Sequence, residues 1–410
     1  MGLRRIARST SVVTLLALLW PLGCGRKDRA RPMEGGPIVR VRLLQDQRQV
    51  TLTATRSPTL FPNSPRAQKL DLPTAAAIPV RMTETGWRVG NEAIDNAGEL
   101  TLQGDGDGSL AVNGVAYRGR YRFVPVASGN GQFDVVNDVD IDGYLKGVLS
   151  RELLANWHEE AYRAQAIVAR TYALYQWATI GGRGTFDVND DVRSQVYGGM
   201  KAETAQSRAA VKATAGVVLA HPTPEGNKIF KAYFSSCCGG ITQSAADAFN
   251  EPDIPPLSAR YVGPLCSVSP HFNWGPVALS KSDLTRRLRT WGQGRGHPLK
   301  DMADLVAIDV WRPNQYGRPT RFLVTDARGT QYAMAAEEMR WAVNTGGVVL
   351  KSAFFKPINE VDSVRFAEGH GYGHGVGMCQ WCAEIQAEDG VRGETIVLRS
   401  FPGSKLVRAY

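Results

Sequence analysis

The stretch that decides the fold is residues 144–174, YLKGVLSRELLANWHEEAYRAQAIVARTYAL. Its apolar residues recur every three or four positions, which is the spacing of a helix with one buried face. We therefore predict one helix over residues 142–154, with Asp142 as its N-cap, and a longer helix within residues 156–179. A pair of glutamates opens the second helix, where the helix dipole favours acidic residues.

The residues before this stretch have the period of strands instead. Residues 38–137 contain short alternating segments, such as IVRVRLL, LTLQG and FDVVN, separated by turn sequences such as DGDG and SGNG. The residues after it alternate helical and strand-like segments, and residues 348–355 have the composition of a further strand. Together these patterns predict an α+β fold, in which a β-rich N-terminal part that includes the helical segment (residues 38–265) and an α+β later half (residues 266–410) share one cleft.

The N-terminus has the features of an export signal. Three arginines within the first eight residues precede a short apolar run, residues 11–22, which is too short to span a bilayer as a mature helix. The run is followed by Gly23 and Cys24, and small residues before a cysteine are typical of a lipoprotein signal. We predict a signal peptide over residues 1–24, with Cys24 as the lipid anchor, and a polar tether over residues 25–37. Ordinary export with cleavage nearby is the alternative.

Composition and charge narrow the class of partner. The 410 residues are 43% hydrophobic and 21% charged, which excludes disordered and collagen-like classes. Lys and Arg total 48 against 39 Asp and Glu, a formal net charge of +9. An exported basic protein meets anionic envelope polymers rather than DNA or RNA, and the sequence has no RNP motif, zinc finger or basic helix. We predict a cell-envelope protein, lipid-anchored to a membrane, that binds no nucleic acid; an ordinary solvated basic surface is the alternative for the charge.

Four segments, in order along the chain, resemble a known family. The first is residues 144–174; the others are residues 186–203 (FDVNDDVRSQVYGGMKAE), 232–242 (AYFSSCCGGIT) and 369–383 (GHGYGHGVGMCQWCA). Together they resemble the SpoIID/LytB family, named for a stage II sporulation protein and an amidase enhancer, and the resemblance extends over about residues 38–410. It implies cleavage of peptidoglycan glycan strands by a lytic transglycosylase. The alternative is a non-catalytic, peptidoglycan-binding enhancer of an N-acetylmuramoyl-L-alanine amidase.

The resemblance implies that Glu152 is the catalytic residue. Cleavage of a glycosidic bond needs a carboxylic acid that protonates the leaving oxygen. A lytic transglycosylase can use a single one, since the C6 hydroxyl of the substrate is the nucleophile and the same carboxylate then takes its proton. Leucines and Trp157 lie near Glu152 in the sequence, so we predict that partial burial raises its pKa and keeps it protonated. Arg151 would oppose this shift unless its side chain points away.

Seven further residues in these segments are predicted to bind the polymer. An arginine can bind anionic groups, tyrosine and glutamine can hydrogen-bond sugars or N-acetyl groups, and glycine lets the backbone approach a ligand. The histidine, which stands among five alternating glycines, could orient Glu152 or contact the polymer. Structural packing is the alternative for the arginine, the tyrosines, the glutamine and the histidine. The predicted residues are Arg170, Tyr172, Gln195, Tyr197, Ser236, Gly240 and His374.

The cysteines mark where the sequence departs from the family pattern. If Cys24 carries lipid, five remain: Cys237, Cys238, Cys266, Cys379 and Cys382. Disulfides are the usual state outside the cytoplasm, a thiolate metal site is a second interpretation, and a cysteine hydrolase using Cys238 with His374 is a third. The zinc site of the sporulation protein is not carried over, because FDVNDDVRSQ contains no Cys or His. The resemblance therefore predicts no metal and no cofactor here, and the expected partners are peptidoglycan and an amidase or another wall hydrolase.

Overall fold

The computed structural model describes residues 36–62, 69–95, 98–104, 110–127, 131–191 and 193–410. The predicted signal peptide, Cys24 and nearly all of the tether lie outside these described residues. The first part of the described chain is a run of strands. They are β1 (Ile38–Gln47), β2 (Gln49–Ala54), β3 (Thr59–Pro62), β4 (Leu70–Asp71), β5 (Ala75–Thr83), β6 (Gly86–Val89), β7 (Glu92–Ile94), β8 (Leu100–Gln103), β9 (Leu110–Val112), β10 (Val115–Ala116), β11 (Arg120–Pro125) and β12 (Phe133–Asp140).

Helices and short strands alternate in the remainder, which confirms the predicted α+β class. The helices are α1 (Ile141–Glu152), α2 (Glu159–Ile180), α3 (Ala205–Ala213), α4 (Ala245–Phe249), α5 (Lys281–Arg295), α6 (Ala336–Val343), α7 (Gln380–Glu388) and α8 (Gly393–Ser400). The strands are β13 (Val188–Asn189), β14 (Val217–Thr223), β15 (Gly226–Ile229), β16 (Phe234–Ser235), β17 (Asn273–Trp274), β18 (Val277–Ser280), β19 (Leu305–Pro313), β20 (Pro319–Asp326), β21 (Gln331–Ala335), β22 (Lys356–Asn359), β23 (Ser363–Ala367), β24 (Gly369–His370), β25 (Met378–Cys379) and β26 (Lys405–Arg408).

Two sheets form the β-rich part. The larger sheet has seven strands in the order β13-β1-β12-β11-β8-β3-β4, and the smaller has six in the order β10-β9-β2-β5-β6-β7. The first half of β1 alternates buried and half-buried residues, whereas β12, between β1 and β11, is buried at every position. Trp87 of the smaller sheet packs edge-on against Phe133 of the larger one, with ring centroids 5.0 Å apart. Both sheets and α1 therefore share one hydrophobic core.

The start of α1 corrects a sequence prediction. The N-cap is Asp140, whose Oδ1 accepts a hydrogen bond from the backbone N–H of Gly143 at 2.7 Å. Asp142, the predicted cap, lies inside the first turn, and its carboxylate forms an ion pair with Arg170 at 2.9 Å. The prediction was wrong by two residues because both aspartates suit a helix start. The carboxylate of Asp142 is bound by Arg170 and by the hydroxyl of Tyr410 instead.

The long helix α2 connects the two parts of the chain. It begins after His158, whose Nδ1 accepts a hydrogen bond from the backbone N–H of Glu160 at 3.2 Å, and it ends at Gly181 in the left-handed conformation. Nearly every residue from 161 to 174 is buried. The helix packs against α1 and α3 and also against α7 and α8.

The later half has a hydrophobic cluster of its own. Two three-stranded sheets, β18-β23-β22 and β19-β20-β21, pack with α5 and α6 around a group of phenylalanines. Residues 348–355, predicted as a strand, form none. The side-chain oxygen of Asn344 instead accepts hydrogen bonds from the backbone N–H groups of Val349 and Leu350, at 2.9 and 2.8 Å. The Asn344 side chain thus accepts hydrogen bonds from N–H groups that, in the predicted strand, would pair with a neighbouring strand.

The described residues belong to one compact unit, Met33–Tyr410. A third buried cluster joins residues from both sides of the predicted boundary at residue 265, including Ala161, Tyr233, Val376 and Phe401. The division at that position stays a prediction about parts of this unit. Within the described ranges, no helix is both long and apolar enough to cross a membrane.

Candidate active site

Short strands bring the third and fourth motif segments side by side. Strand β16 pairs in parallel with β25. The backbones of Cys237 and Tyr372 exchange two hydrogen bonds, of 3.1 and 2.8 Å, and the N–H of Trp381 donates to the carbonyl oxygen of Ser236 at 3.1 Å. Residues 232–242 therefore lie directly against the glycine-rich loop and the start of α7.

Glu152, the last residue of α1, lies where the first, second and fourth segments meet. Its side chain is half-buried, and its Oε1 accepts a hydrogen bond from the backbone N–H of Val196 at 2.9 Å. Burial raises the pKa of the Glu152 carboxyl above its ordinary value of 4.5, and this effect outweighs the hydrogen bond from Val196 and the nearby carboxamide of Gln380, which lower it. The direction is the one expected from the sequence.

Apolar neighbours contribute to this burial. Leu153 and Trp157, which follow Glu152 in the sequence, are both 6% exposed. Trp157 packs edge-on against Trp381, with ring centroids 5.1 Å apart, so the first segment is in contact with the start of α7. Arg151 is exposed and is not among the groups that shift the pKa of Glu152. The cation that could have opposed the raised pKa therefore points away.

Gln380 is a site residue that sequence reasoning did not single out. Its side chain is buried, and its Nε2 meets no partner with full hydrogen-bond geometry among the described residues. The carboxamide is nevertheless close enough to Glu152 to lower the pKa of that carboxyl. A buried amide that lacks an ideal acceptor is costly, which makes Gln380 a donor available to the carboxylate or to a ligand. The available signal was its place in the GMCQ sequence of the fourth segment.

Arg170 lies inside the protein. Its side chain is fully buried, and its guanidinium donates to Asp142 at 2.9 Å, to the hydroxyl of Tyr410 at 3.0 Å and to Thr214 at 3.2 Å. Two backbone carbonyl oxygens accept further hydrogen bonds. All of these partners are protein groups, so Arg170 has the structural packing role that was the alternative to polymer binding.

Gln195 and Tyr197 also point inward. The Oε1 of Gln195 accepts a hydrogen bond from the hydroxyl of Tyr144 at 3.1 Å, and its Nε2 donates to the carbonyl oxygen of Ala169 at 3.3 Å. The hydroxyl of Tyr197 donates to the side-chain oxygen of Asn137 at 3.3 Å. These buried contacts attach the second segment to α1, α2 and β12, and so hold Val196 against Glu152.

The remaining predicted residues occupy the third segment and the middle of α2. Burial raises the pKa of Tyr172 to about 12, against a hydrogen bond with Ser194 that lowers it. Ser236 is half-buried next to the start of α7. Gly240 has a φ of +90°, and a Cβ there would lie 3.1 Å from the carbonyl oxygen of Gly263. A glycine is therefore required where this loop approaches its neighbour.

His374 is held in place by protein groups. Its Nδ1 accepts a hydrogen bond from the backbone N–H of Val376 at 3.0 Å, and its ring meets Tyr233 and Phe249 edge-on, with centroids 5.6 and 5.2 Å away. Burial lowers the pKa of His374 to about 3, and the positive charges of Arg340, Arg318 and Lys231 lower it further. None of the contacts recorded for His374 in the described part of the chain is to Glu152. Its observed role is packing.

This environment makes the stability of the protein sensitive to acid. The unfolded histidine binds a proton below about pH 6.5, whereas folded His374 does so only near pH 3. The stabilisation linked to neutral His374 should therefore be fully present above about pH 6.5. As the pH decreases from there toward 3, the free energy of unfolding should fall by up to about 1.4 kcal/mol per pH unit. The free energy of unfolding, measured by urea denaturation at several pH values in this range, should depend less steeply on pH for His374→Asn than for the wild type. Equal slopes would contradict a protonation linked to His374.

The five cysteines form one buried cluster, and none of them is in a disulfide. The Sγ atoms of Cys238, Cys266, Cys379 and Cys382 all lie within 4.8 Å of one another. Cys237 reaches the same group, with its Sγ 3.6 Å from that of Cys266. No contact recorded among the described residues joins His374 to Cys238, so the geometry gives the cysteine-hydrolase interpretation no support.

Comparison with known proteins bears on this geometry. The SpoIID family model, described as a stage II sporulation protein, matches residues 129–221, which contain Glu152 and Val196. The segment that carries Glu152 is therefore similar to the SpoIID/LytB family. An uncharacterized protein of Brachyspira hyodysenteriae (strain ATCC 49526 / WA1) is 28% identical over 321 residues, covering 77% of this chain and 78% of that protein.

Two relatives from Bacillus subtilis (strain 168) carry descriptive names. The amidase enhancer is 27% identical over 305 residues, covering 64% of this chain and 40% of that protein. Stage II sporulation protein D is 25% identical over 289 residues, covering 67% of this chain and 76% of that protein. The SpoIID family model ends at residue 221, before Gln380 and the cysteine cluster, so the description of those residues rests on the structure of this chain.

Proposed function

We propose that this protein belongs to the SpoIID/LytB family, acts at the cell wall and cleaves peptidoglycan glycan strands as a lytic transglycosylase, with Glu152 as its single acid and base. The observation that carries the proposal is the half-buried carboxyl of Glu152, at which three motif segments meet and whose pKa is raised. The match of residues 129–221 to the SpoIID family model supports the cell-wall role. The net charge of +9 suits an anionic wall polymer.

The proposed reaction uses Glu152 twice. Its protonated carboxyl donates a proton to the glycosidic oxygen between N-acetylmuramic acid and N-acetylglucosamine, and the bond from C1 of the muramic residue to that oxygen breaks. The C6 hydroxyl of the same muramic residue attacks C1 and loses its proton to the Glu152 carboxylate. The product has a 1,6-anhydro end, no water is consumed, and the acid is regenerated. The donors on Val196 and Gln380 would hold the carboxylate between the two steps.

Only some of the predicted binding residues enter this proposal. Ser236 is half-buried beside the start of α7, near the segment that carries Gln380. Arg170, Gln195 and Tyr197 bond to protein groups in the interior, and their proposed role is to hold the Glu152 segment in place. We also propose export, with Cys24 as a lipid anchor, which would keep the protein next to the wall.

The test is product analysis on purified glycan strands. Both whole and peptide-stripped strands are incubated with the full chain, and the products are analysed by mass spectrometry for 1,6-anhydromuramic ends. We expect such ends with at least one of the two substrates. If neither substrate yields them, the proposed reaction is wrong.

The rate of cleavage should fall on the alkaline side. The first step needs protonated Glu152, and burial raises the pKa of this carboxyl above 4.5. The protonated form therefore persists to higher pH than for an exposed glutamate, and kcat/KM should decrease as the pH rises through the raised pKa. Measured pH–rate profiles should place this alkaline limb above 4.5. A limb at the value of an exposed glutamate would contradict the burial argument.

The relative named an amidase enhancer favours a second candidate function, in which the chain stimulates a partner amidase without cutting glycan. The two candidates differ in what the isolated chain does. The isolated protein should release anhydromuramic products by itself if it is a transglycosylase. An enhancer should release nothing alone and should increase the rate at which an added N-acetylmuramoyl-L-alanine amidase removes stem peptides.

A further inference from the structure

We propose that Cys238, Cys266, Cys379 and Cys382 bind one Zn²⁺ ion as a tetrathiolate site that ties the third and fourth motif segments together. The proposal concerns a structural site and does not depend on the proposed reaction. It rests on sulfur geometry, on the chain segments that supply the sulfurs, and on the charges around them.

The sulfur positions match a tetrahedral ion. The four Sγ atoms lie within 4.8 Å of one another, with 3.6 Å between Cys238 and Cys266 and 3.9 Å between Cys238 and Cys382. Zinc–thiolate bonds of about 2.3 Å in tetrahedral geometry put neighbouring sulfurs about 3.8 Å apart. A disulfide bond is about 2.05 Å long. The arrangement is that of four ligands around a common centre rather than of paired cysteines.

Three separate pieces of the fold supply the ligands. Cys238 belongs to the loop after β16, and Cys266 ends a short 3₁₀ turn, Pro264–Cys266. Cys379 is the N-cap of α7 and Cys382 lies in the first turn of this nine-residue helix, so the pair has the C-x₂-C spacing common in zinc sites. A metal would join these pieces as a disulfide pair could not, because one ion contacts all of them at once.

Backbone donors already point at one of the sulfurs. The N–H groups of Cys238 and Cys382 both donate to the Sγ of Cys379, at 3.3 and 3.4 Å. Such N–H···S hydrogen bonds, together with the N-terminus of α7, stabilise a thiolate. They also fix the side chain of Cys379 before any ion binds.

Nearby cations offset the charge of the site. Four thiolates and Zn²⁺ carry a net charge of −2, which is costly to bury without compensation. Arg318 is fully buried and donates to the carbonyl oxygen of Cys238 at 3.0 Å, and both Arg318 and Arg260 interact electrostatically with Cys238. A cavity lined in part by Arg260, Cys379 and Cys382 gives an ion access to the sulfurs.

Cys237 provides a matched control within the same cluster. Its Sγ lies 3.6 Å from that of Cys266, as close as the Sγ of Cys238, yet it is not one of the four mutually adjacent sulfurs. If the cluster forms disulfides, Cys237 is as good a partner for Cys266 as Cys238 is. If the cluster binds zinc as proposed, Cys237 is dispensable for the metal.

The experiment is metal and thiol analysis of the purified full chain and its variants. We expect one zinc ion per chain in the wild type and in Cys237→Ser, and loss of the ion in Cys266→Ser and Cys382→Ser. Replacement of the zinc by Co²⁺ should give the charge-transfer absorption of cobalt bound to thiolates. A chelator strong enough to remove the ion should lower the Tm of the wild type.

The wild-type measurements keep the proposal falsifiable even if a ligand variant fails to fold. Wild-type protein without zinc that also fails to bind Co²⁺ would overturn the site. A disulfide that links any two of the four proposed ligands, found by mass mapping of the natively isolated chain without reductant, would overturn it as well. If the single variant Cys237→Ser lost its zinc just as Cys266→Ser does, the proposed ligand set would be wrong.

Discussion

Glu152→Gln should reduce the rate of glycan-strand cleavage by a factor on the order of 10²–10⁴, the usual contribution of a general acid or base. Glutamine has nearly the same shape and can still accept the hydrogen bond from Val196, so the site should keep its structure. It cannot supply the proton that the leaving oxygen needs or take the proton of the C6 hydroxyl. The measurement is the rate of formation of anhydromuramic ends, with polymer binding measured separately by co-sedimentation.

The matched control for this variant is Glu159→Gln. Glu159 lies in the first turn of α2, seven residues further along the chain, with its side chain 64% exposed. Its substitution makes the same Glu-to-Gln change without touching the site, so cleavage should stay near the wild-type rate. Polymer binding should be retained by both variants. A Glu152→Gln protein that still cleaves would remove Glu152 from the mechanism.

Arg170→Met should lower the free energy of unfolding by about 3–5 kcal/mol, the usual cost of breaking a buried ion pair from one side. The guanidinium is fully buried, and its loss leaves the carboxylate of Asp142 without its ion-pair partner. It also removes the donors to Thr214 and to two carbonyl oxygens. Urea denaturation, followed by circular dichroism, measures the effect.

A partly exposed arginine on the same helix serves as the control. Arg163 pairs with Glu159 and Glu160 at the start of α2, its side chain is 31% exposed, and Arg163→Met should cost about 1 kcal/mol or less. The comparison also decides between the two interpretations of Arg170. If Arg170→Met folded with wild-type stability but lost affinity for glycan strands, the packing role would be wrong and the substrate-binding prediction would be favoured.

Much of the local structure was predictable from the sequence because it depends on neighbours along the chain. The 3.6-residue period of residues 144–174 predicted α1 and α2, and the alternation before it predicted the strands. Errors arose where a distant group decides the outcome. Asp142 was predicted as an N-cap, but its carboxylate forms an ion pair with Arg170. Residues 348–355 were predicted as a strand, but the Asn344 side chain accepts hydrogen bonds from the N–H groups of Val349 and Leu350.

The candidate site, too, was predictable from the sequence only in part. The motif pointed to Glu152, and the apolar residues beside it predicted the raised pKa. Polar residues in the motif segments could not be sorted by sequence, because an arginine or glutamine that binds a sugar and one that binds a carbonyl oxygen inside the core are the same residue type. Burial and partners place Arg170 and Gln195 in the interior and place Gln380 beside the carboxyl.

The α+β class, the helix that carries Glu152, the glycine-rich loop and the five cysteines after Cys24 were predictable from local patterns in the sequence. These properties follow from period, turn chemistry and composition, which act over short distances along the chain. The approach of Val196 and Gln380 to Glu152, and the clustering of the Cys238, Cys266, Cys379 and Cys382 sulfurs within 4.8 Å of one another, arise only in the folded chain. Such contacts join residues far apart in the chain, and the packing of whole helices and loops, rather than any local pattern, brings them together.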